Sequence, residues 1–400
     1  MPTTISVERI SMAFMLLVSS LAVLGQFATS IYLPSLPAIG RDLQVPLSSV
    51  QFTLTVFLLA YAPTQLIYGP LSDRYGRKPP LLFGLGVFLI GTLICWNASG
   101  ISVLVAGRVM QGVGSSAAVV ICRAMIRDTY SGTHLTQAMA WYTIIFSLAP
   151  GFAPIIGGIL QSVWSWQATF GATFLYGIVV SVLAIFVVRE THPHRDNHLL
   201  WIEVVKLYLP VFGSFKFLVY SLTSALTMGC IYAYFAGMPD MYIGHLGVST
   251  TAFGFFPLIT VVGYIMSGII TQQFIHQMTA KRLALLGFSI CFLGSAIALT
   301  LVTAGGLSIF TMTASVFIFV SGSGVMFAVA VAEALRDFTY NAGAASALLG
   351  FLQMLGAALG SFLVSQWGSL GLAAFPFCMF LLSLLSLSIF ALSFQKLSSH

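Results

Sequence analysis

Gly69-Pro70-Leu71-Ser72-Asp73-Arg74-Tyr75-Gly76-Arg77-Lys78 is a charged string set between two apolar runs, 47–69 and 79–98. Each run offers the ~20 apolar residues that cross a bilayer as a helix. The glycines permit a sharp turn and close approach of two helices. Asp73 suits a helix N-terminus or a basic partner. Arg74, Arg77 and Lys78 suit a loop on the cytoplasmic side. A charged turn between two membrane helices is the pattern to look for elsewhere in the chain.

The pattern recurs along the whole chain. Of 400 residues 58% are hydrophobic, and only 16 Lys or Arg and 10 Asp or Glu are present, for a net charge of +6. A soluble chain of this length would carry ~100 charges. That excludes a water-soluble globule, a disordered chain and a nucleic-acid-binding domain. Twelve spans are expected, at about 11–34, 47–69, 79–98, 101–124, 136–160, 168–188, 216–237, 250–275, 283–303, 307–332, 344–365 and 370–392. The first is too long for the core of a cleaved signal and reads as a membrane helix. The fold class is all-α integral membrane, with two six-helix bundles.

With the N-terminus inside, every Lys and Arg except Arg41 and Arg108 falls in cytoplasmic loops, tails or helix ends. That asymmetry puts both termini in the cytoplasm. The long stretch 189–215 reads as a cytoplasmic linker between bundles 1–188 and 216–400, with a short interfacial helix over Leu199–Leu209. Its His192, His194 and His198 face solvent without a cysteine, so no metal site is expected. The five cysteines are scattered singly through apolar runs and read as buried thiols. The halves look related: Arg127–Asp128 and Arg336–Asp337 lie 209 residues apart, and Arg74–Lys78 maps near Lys281–Arg282. A six-helix unit duplicated in parallel would give this.

Arg108 sits about seven residues into span four, ~10 Å below the surface. A charge at that depth is costly and tends to face a cavity or a partner. Ala149–Gly158 holds Pro150, Pro154, Gly157 and Gly158 and reads as a thin, bendable hinge. Gln26, Gln65, Gln111, Tyr142, Tyr232, Tyr234 and Gln353 are polar groups inside spans and candidates for a cavity wall. An intramembrane enzyme would need clustered His, Asp or Glu at depth, and the sequence has none.

The Gly69–Lys78 string resembles the signature loop of the major facilitator superfamily. Tyr32-Leu33-Pro34-Ser35-Leu36-Pro37, Arg108-Val109-Met110-Gln111-Gly112, Arg123 to Asp128, Ala149 to Gly158, and Ser346 to Met354 together are similar to the Bcr/CflA (bicyclomycin/chloramphenicol-resistance) branch of its drug:proton antiporters. The resemblance covers both halves. It implies a central cavity, alternating access, multidrug efflux and proton coupling in which Arg108 takes part. It also implies that Gly69, Asp73, Arg74, Gly76 and Arg77 gate the cytoplasmic side. Two positions depart from it. Ser30 stands where the family carries an aspartate, and Gln167 where it carries an arginine.

Ser30 cannot titrate, and none of the ten acids lies deep in a span. Coupling then falls to Arg108 with a distant group, to the charge of the substrate, or to no ion at all. The expectation is an inner-membrane exporter of a small organic molecule, drug-like or, given Ser30 and Arg108, an anionic metabolite or siderophore. Arg108, Ser30, Gln26, Tyr32, Gln111 and Gln353 are expected at the substrate and coupling site, with Arg108 pointing into the cavity. The partners are substrate and bilayer. No cofactor beyond a proton gradient and no enzyme activity are expected, and the protein reads as a monomer. The alternative is an importer of a metabolite or siderophore on the same fold.

Overall fold

The computed structural model describes residues 10–192, 208–338 and 342–396. The Leu199–Leu209 interfacial helix, His194 and His198 fall wholly or largely outside these residues. Among them run twelve long helices: α1 (Met12–Ser30), α2 (Leu47–Tyr75), α3 (Lys78–Trp96), α4 (Ile101–Thr129), α5 (Gly132–Val163), α6 (Trp166–Val187), α7 (Phe215–Pro239), α8 (Leu258–Phe274), α9 (Ala280–Thr303), α10 (Ile309–Leu335), α11 (Ala342–Gln366) and α12 (Ala374–Ser393). In lipid every backbone N–H and C=O must be satisfied within the chain, which a helix does by itself. The segment from α11 to α12 is one apolar stretch of 52 residues, and Gly371 at φ 55° breaks it into two. Phe186, Phe310 and Leu392 are at least four-fifths exposed on the helix exteriors. They form part of the surface a bilayer would cover.

Several sequence boundaries shift, among them the ends of α2 and α1. The Gly69–Lys78 string is mostly helix rather than loop. α2 continues through Pro63 and Pro70 to Tyr75, and only Gly76 and Arg77 connect it to α3. Gly76 makes the turn at φ 89°. The first span ends earlier than expected, at Ser30, and the chain turns through Leu33–Ser35 into a short helix, Leu36–Asp42. Pro34 and Pro37 explain the break.

The packing repeats with an offset of six helices. α1 packs on α4, α5 and α6, and α7 packs on α10, α11 and α12. α3 packs on α4 and α6 as α9 does on α10 and α12. Each half carries the same close seam. A Cβ at Gly84 would lie 2.9 Å from the Gly114 carbonyl, and one at Gly91 2.8 Å from that of Gly107. In the other half, Gly287 lies against the Gly322 carbonyl at 2.9 Å and Gly294 against that of Ser315 at 2.8 Å by the same measure. Small residues one heptad apart let these backbones touch.

One face, here the basic face, carries Arg74, Arg77, Lys78, Arg127, Lys216, Lys281, Arg282 and Arg336 at helix ends. The halves meet toward the other face. There Thr55 Oγ1 donates to Ser361 Oγ at 3.0 Å, and Gln51 Nε2 to the Ala236 carbonyl at 3.0 Å. α5 locks against the short helical turn that precedes α8, Thr250–Phe253: a Cβ at Gly158 would sit 2.4 Å from the Thr250 carbonyl, and one at Gly254 2.6 Å from that of Pro154. On the basic face the ion pairs among the described residues each stay within one half. Across the halves there, Tyr208, just before α7, donates its hydroxyl to the Leu66 carbonyl at 3.5 Å.

Gly158→Leu should therefore force the halves apart at the face opposite the basic one. Spin labels at Ser48 and Gln366, on the α2 and α11 ends there, should report a longer mean distance. An unchanged distance distribution would show that this contact does not hold the face shut.

Candidate functional site

Arg108 is sealed inside the N-terminal half and does not line the central cavity, contrary to the expectation from its depth. It is 0% exposed. Its Nη1 donates to the Ala28 carbonyl at 3.1 Å and to Gln111 Oε1 at 2.8 Å. The guanidinium carbon lies 4.4 Å from the Tyr32 ring centre and 4.5 Å from that of Phe57. Nε and Nη2 find no hydrogen-bond partner. The physical reason is the early end of α1. Ala28 lies in its last turn, where carbonyls lack an intrahelical donor and carry the negative end of the helix dipole. Arg108 answers both. Tyr32 and Phe57 then close over it, so a cation–π pair stands where an acid is absent. Gln111 passes the network on to Thr92 Oγ1 at 2.9 Å, and Tyr32 contacts Thr53 Oγ1 at 3.4 Å. Ser30 is buried in the last turn of α1.

Two adjoining cavities lie between the halves. The larger, about 360 Å³, is walled mainly by α5, α7, α8 and α10, with Phe146, Tyr232, Tyr234, Phe235, Tyr264 and Phe319. The smaller, about 130 Å³, lies toward α2, α4 and α11, with Tyr61, Gln65, Arg123, Gln353 and Met354. Gln26, Phe146, Met228 and Tyr232 border both. Tyr232 donates its hydroxyl to Gln26 Oε1 at 3.2 Å, across the two halves. Gln353 Nε2 reaches Ser224 Oγ at 3.5 Å. Of the expected substrate-site residues, Gln26 and Gln353 face this space. Arg108, Tyr32 and Gln111 share the sealed network instead.

Arg123 is the residue that sequence reasoning missed. Placing the end of span four at 124 made Arg123 a residue of the cytoplasmic helix end. α4 runs on to Thr129, which puts Arg123 six residues from that end, roughly 9 Å along the axis. Its Nε donates to the Tyr142 hydroxyl at 3.3 Å, and Tyr142 stacks on Phe146. The Arg-x-x-x-Arg-Asp spacing at the end of span four was the available signal.

The signature string knits the basic ends of four helices in one half. Arg77 pairs with Asp73, with Asp128 at 2.8 Å and with Ser72 Oγ at 2.8 Å. The Glu190 carboxylate, just after α6, accepts from the backbone N–H of Arg77 at 2.8 Å and of Lys78 at 3.1 Å. It thereby caps α3. Burial pushes its carboxyl up, but the backbone N–H donors of Arg77, His192, Lys78 and Thr191 outweigh this and hold it below the usual range. Arg74 stands against its neighbour Tyr75, and Gly69 meets only Val120 of the same half. Pro150 lines the larger cavity, while Gly157 packs on the Ile31 carbonyl and Gly158 on Thr250. α5 is continuous through both prolines.

Residues 18–361 match the Major Facilitator Superfamily. The chain belongs to this superfamily. It is a multi-pass membrane transporter. It is 31% identical over 361 residues to a bicyclomycin resistance protein homolog of Haemophilus influenzae, with 90% of each chain covered. It is 28% identical over 376 residues to multidrug resistance protein D of Escherichia coli, with 93% of each covered. These place it with the Bcr/CflA branch. Its fold is shared by a peptide transporter solved with sulfate, at a TM-score of 0.74, 13% identity and 94% of each chain. It is shared also by a bacterial homolog of the lysosomal transporter Spinster, solved inward-facing and unoccupied, at 0.71, 14% and 95%.

Two stability measurements on detergent-purified protein check these networks. Arg108→Ala should cost about 2–4 kcal/mol through the cavity it leaves, and Arg108→Met should recover much of that because two guanidinium nitrogens are unpaired already. A methionine variant no better than alanine would show that the charge itself holds the fold. Glu190→Ala should cost about 1 kcal/mol at neutral pH, as loss of a helix cap does. A carboxyl held low in the fold stabilises fully above its unfolded value, and that stabilisation is lost as pH falls through the folded one. The gap between wild type and Glu190→Ala should thus close in acid; a constant gap would refute the cap.

Proposed function

We propose that this protein exports a small organic molecule across the bacterial inner membrane by alternating access, with the basic face and both chain ends in the cytoplasm. The carrying observation is the pair of cavities between halves that interlock toward the opposite face. Rocking of the halves would expose this space to each side in turn. The Lys and Arg bias supports the orientation. The names of the two relatives, bicyclomycin resistance and multidrug resistance, support export of drug-like compounds. Gly69, Asp73 and Arg77 lie where the basic face would close, and we assign them to the gate of the outward-open state. Coupling to the proton gradient would have to work without Ser30, whose hydroxyl does not titrate. The protein acts as a monomer in this reading, since one chain encloses the whole path.

An importer on the same fold is the rival. Overproduction should lower cellular accumulation of the substrate, measured over a panel of labelled drugs and metabolites. Overproducing cells that instead gain the compound from the medium would make the importer correct.

A further inference from the structure

Arg123 brings a fixed positive charge to the wall of the smaller cavity. Its Nε is held by the Tyr142 hydroxyl, and among the described residues no acid pairs with it and no hydrogen bond engages Nη1 or Nη2. Among the described residues, the acids that lie near the basic face are taken: Asp73 and Asp128 by Arg77, Glu190 by the start of α3, Glu333 and Asp337 by Lys216. The other lining groups with polar tips, from α1, α2, α7 and α11, are Gln26, Thr29, Tyr61, Gln65, Tyr232 and Gln353. All are neutral. Arg127, one turn further along α4, adds to the positive field. A cation within the membrane span and without an anion is costly, and a bound anion offsets that cost.

We propose that the two cavities together form a site for an amphipathic organic anion. Arg123 takes a carboxylate or sulfonate head, and the aromatic wall of the larger cavity takes an apolar body. The proposal rests on the transport reading above and names the substrate class of that same site. The free edge of the guanidinium, Nη1 and Nη2, offers two parallel N–H donors, which fit the two oxygens of a carboxylate end-on. The Tyr142 bond holds the group in place before the ligand arrives. Phe146 and Tyr232 border both cavities and would lie at the junction of head and body. The same charge selects against lipophilic cations. Arg108 has no part in this, because Tyr32 and Phe57 cover it.

The test is an isosteric charge series, 2-naphthoate, 2-naphthamide and 2-naphthylmethylammonium, binding to the full chain in nanodiscs. Wild type should bind naphthoate about tenfold tighter than the other two, the scale of one charge-assisted contact. Arg123→Gln should erase that preference and leave naphthamide affinity within about twofold of wild type. Should Arg123→Gln fail to fold, Arg123→Lys decides, because it keeps the charge and loses the fork: naphthoate should weaken and naphthamide hold. Equal or tighter binding of the ammonium by wild type overturns the proposal, as does naphthoate preference that survives in both variants. Everted vesicles separate the two readings. Arg123-dependent naphthoate binding with transport in the import direction overturns export alone. Export of the ammonium, indifferent to Arg123, overturns the anion site alone.

Discussion

A helix that bends or stops inside a bilayer leaves carbonyls without donors, and three side chains in this protein supply them. Pro70 frees the Leu66 carbonyl, and Tyr208 donates to it. α1 stops at Ser30, and Arg108 donates to Ala28. At the end of α7, the Asp240 backbone N–H donates to the Gly237 carbonyl, and the Ala236 carbonyl takes Gln51 Nε2 from the other half. Lipid offers no water to repair such breaks. Each irregularity therefore draws a polar side chain from another element and ties distant segments together. Two of the three ties cross toward the other half. The interface between halves is thus partly a by-product of backbone satisfaction.

The twelve apolar runs were legible because lipid-facing helices are apolar on every exposed side, as Phe186 and Leu392 show. The end of each helix was less legible. Helices that line a polar path run past their apolar stretch, since their charged last turns face protein or solvent. α2 passes through its charged string to Tyr75 and α4 passes Arg123 to Thr129. The error at α4 hid Arg123, and the error at α1 hid the open turn that Arg108 serves. The internal repeat was visible in the wrong letters. Arg127–Asp128 and Arg336–Asp337 look alike, yet Asp128 is bound from the α2–α3 turn and Asp337 from the start of α7. The repeat that packing preserves is the heptad seam of Gly84, Gly91, Gly107 and Gly114 against Gly287, Gly294, Ser315 and Gly322.

Two arginines on one helix show how little depth alone says about role. Arg108 and Arg123 both lie within α4, about as far from one end as from the other. Arg108 meets a helix end, an amide and two ring faces, and these enclose it. Arg123 meets one phenol and an opening. Enclosure decides whether a buried charge is spent on the fold or kept for a ligand. Depth sets the cost of either.

A cavity with a fixed cation and no acid also changes what could drive transport. In the familiar scheme a carboxylate exchanges protons with each side in turn, and its desolvated pKa allows this. Here Ser30 and the neutral lining offer no such group. An anion leaving a cell that is negative inside moves with the field, and each charge gains about 2.3 kcal/mol per 100 mV. That suffices for roughly a fiftyfold gradient without any proton. Ser30 and Arg123 bear on different ends of the path: Ser30 closes α1 beside the Arg108 network and Arg123 stands near the basic end of α4, so an acid at position 30 would meet Arg108 and not Arg123. Among the described residues no acid pairs with the Arg123 guanidinium, so in the proposed orientation a bound anion would itself carry the charge that couples export to the membrane potential.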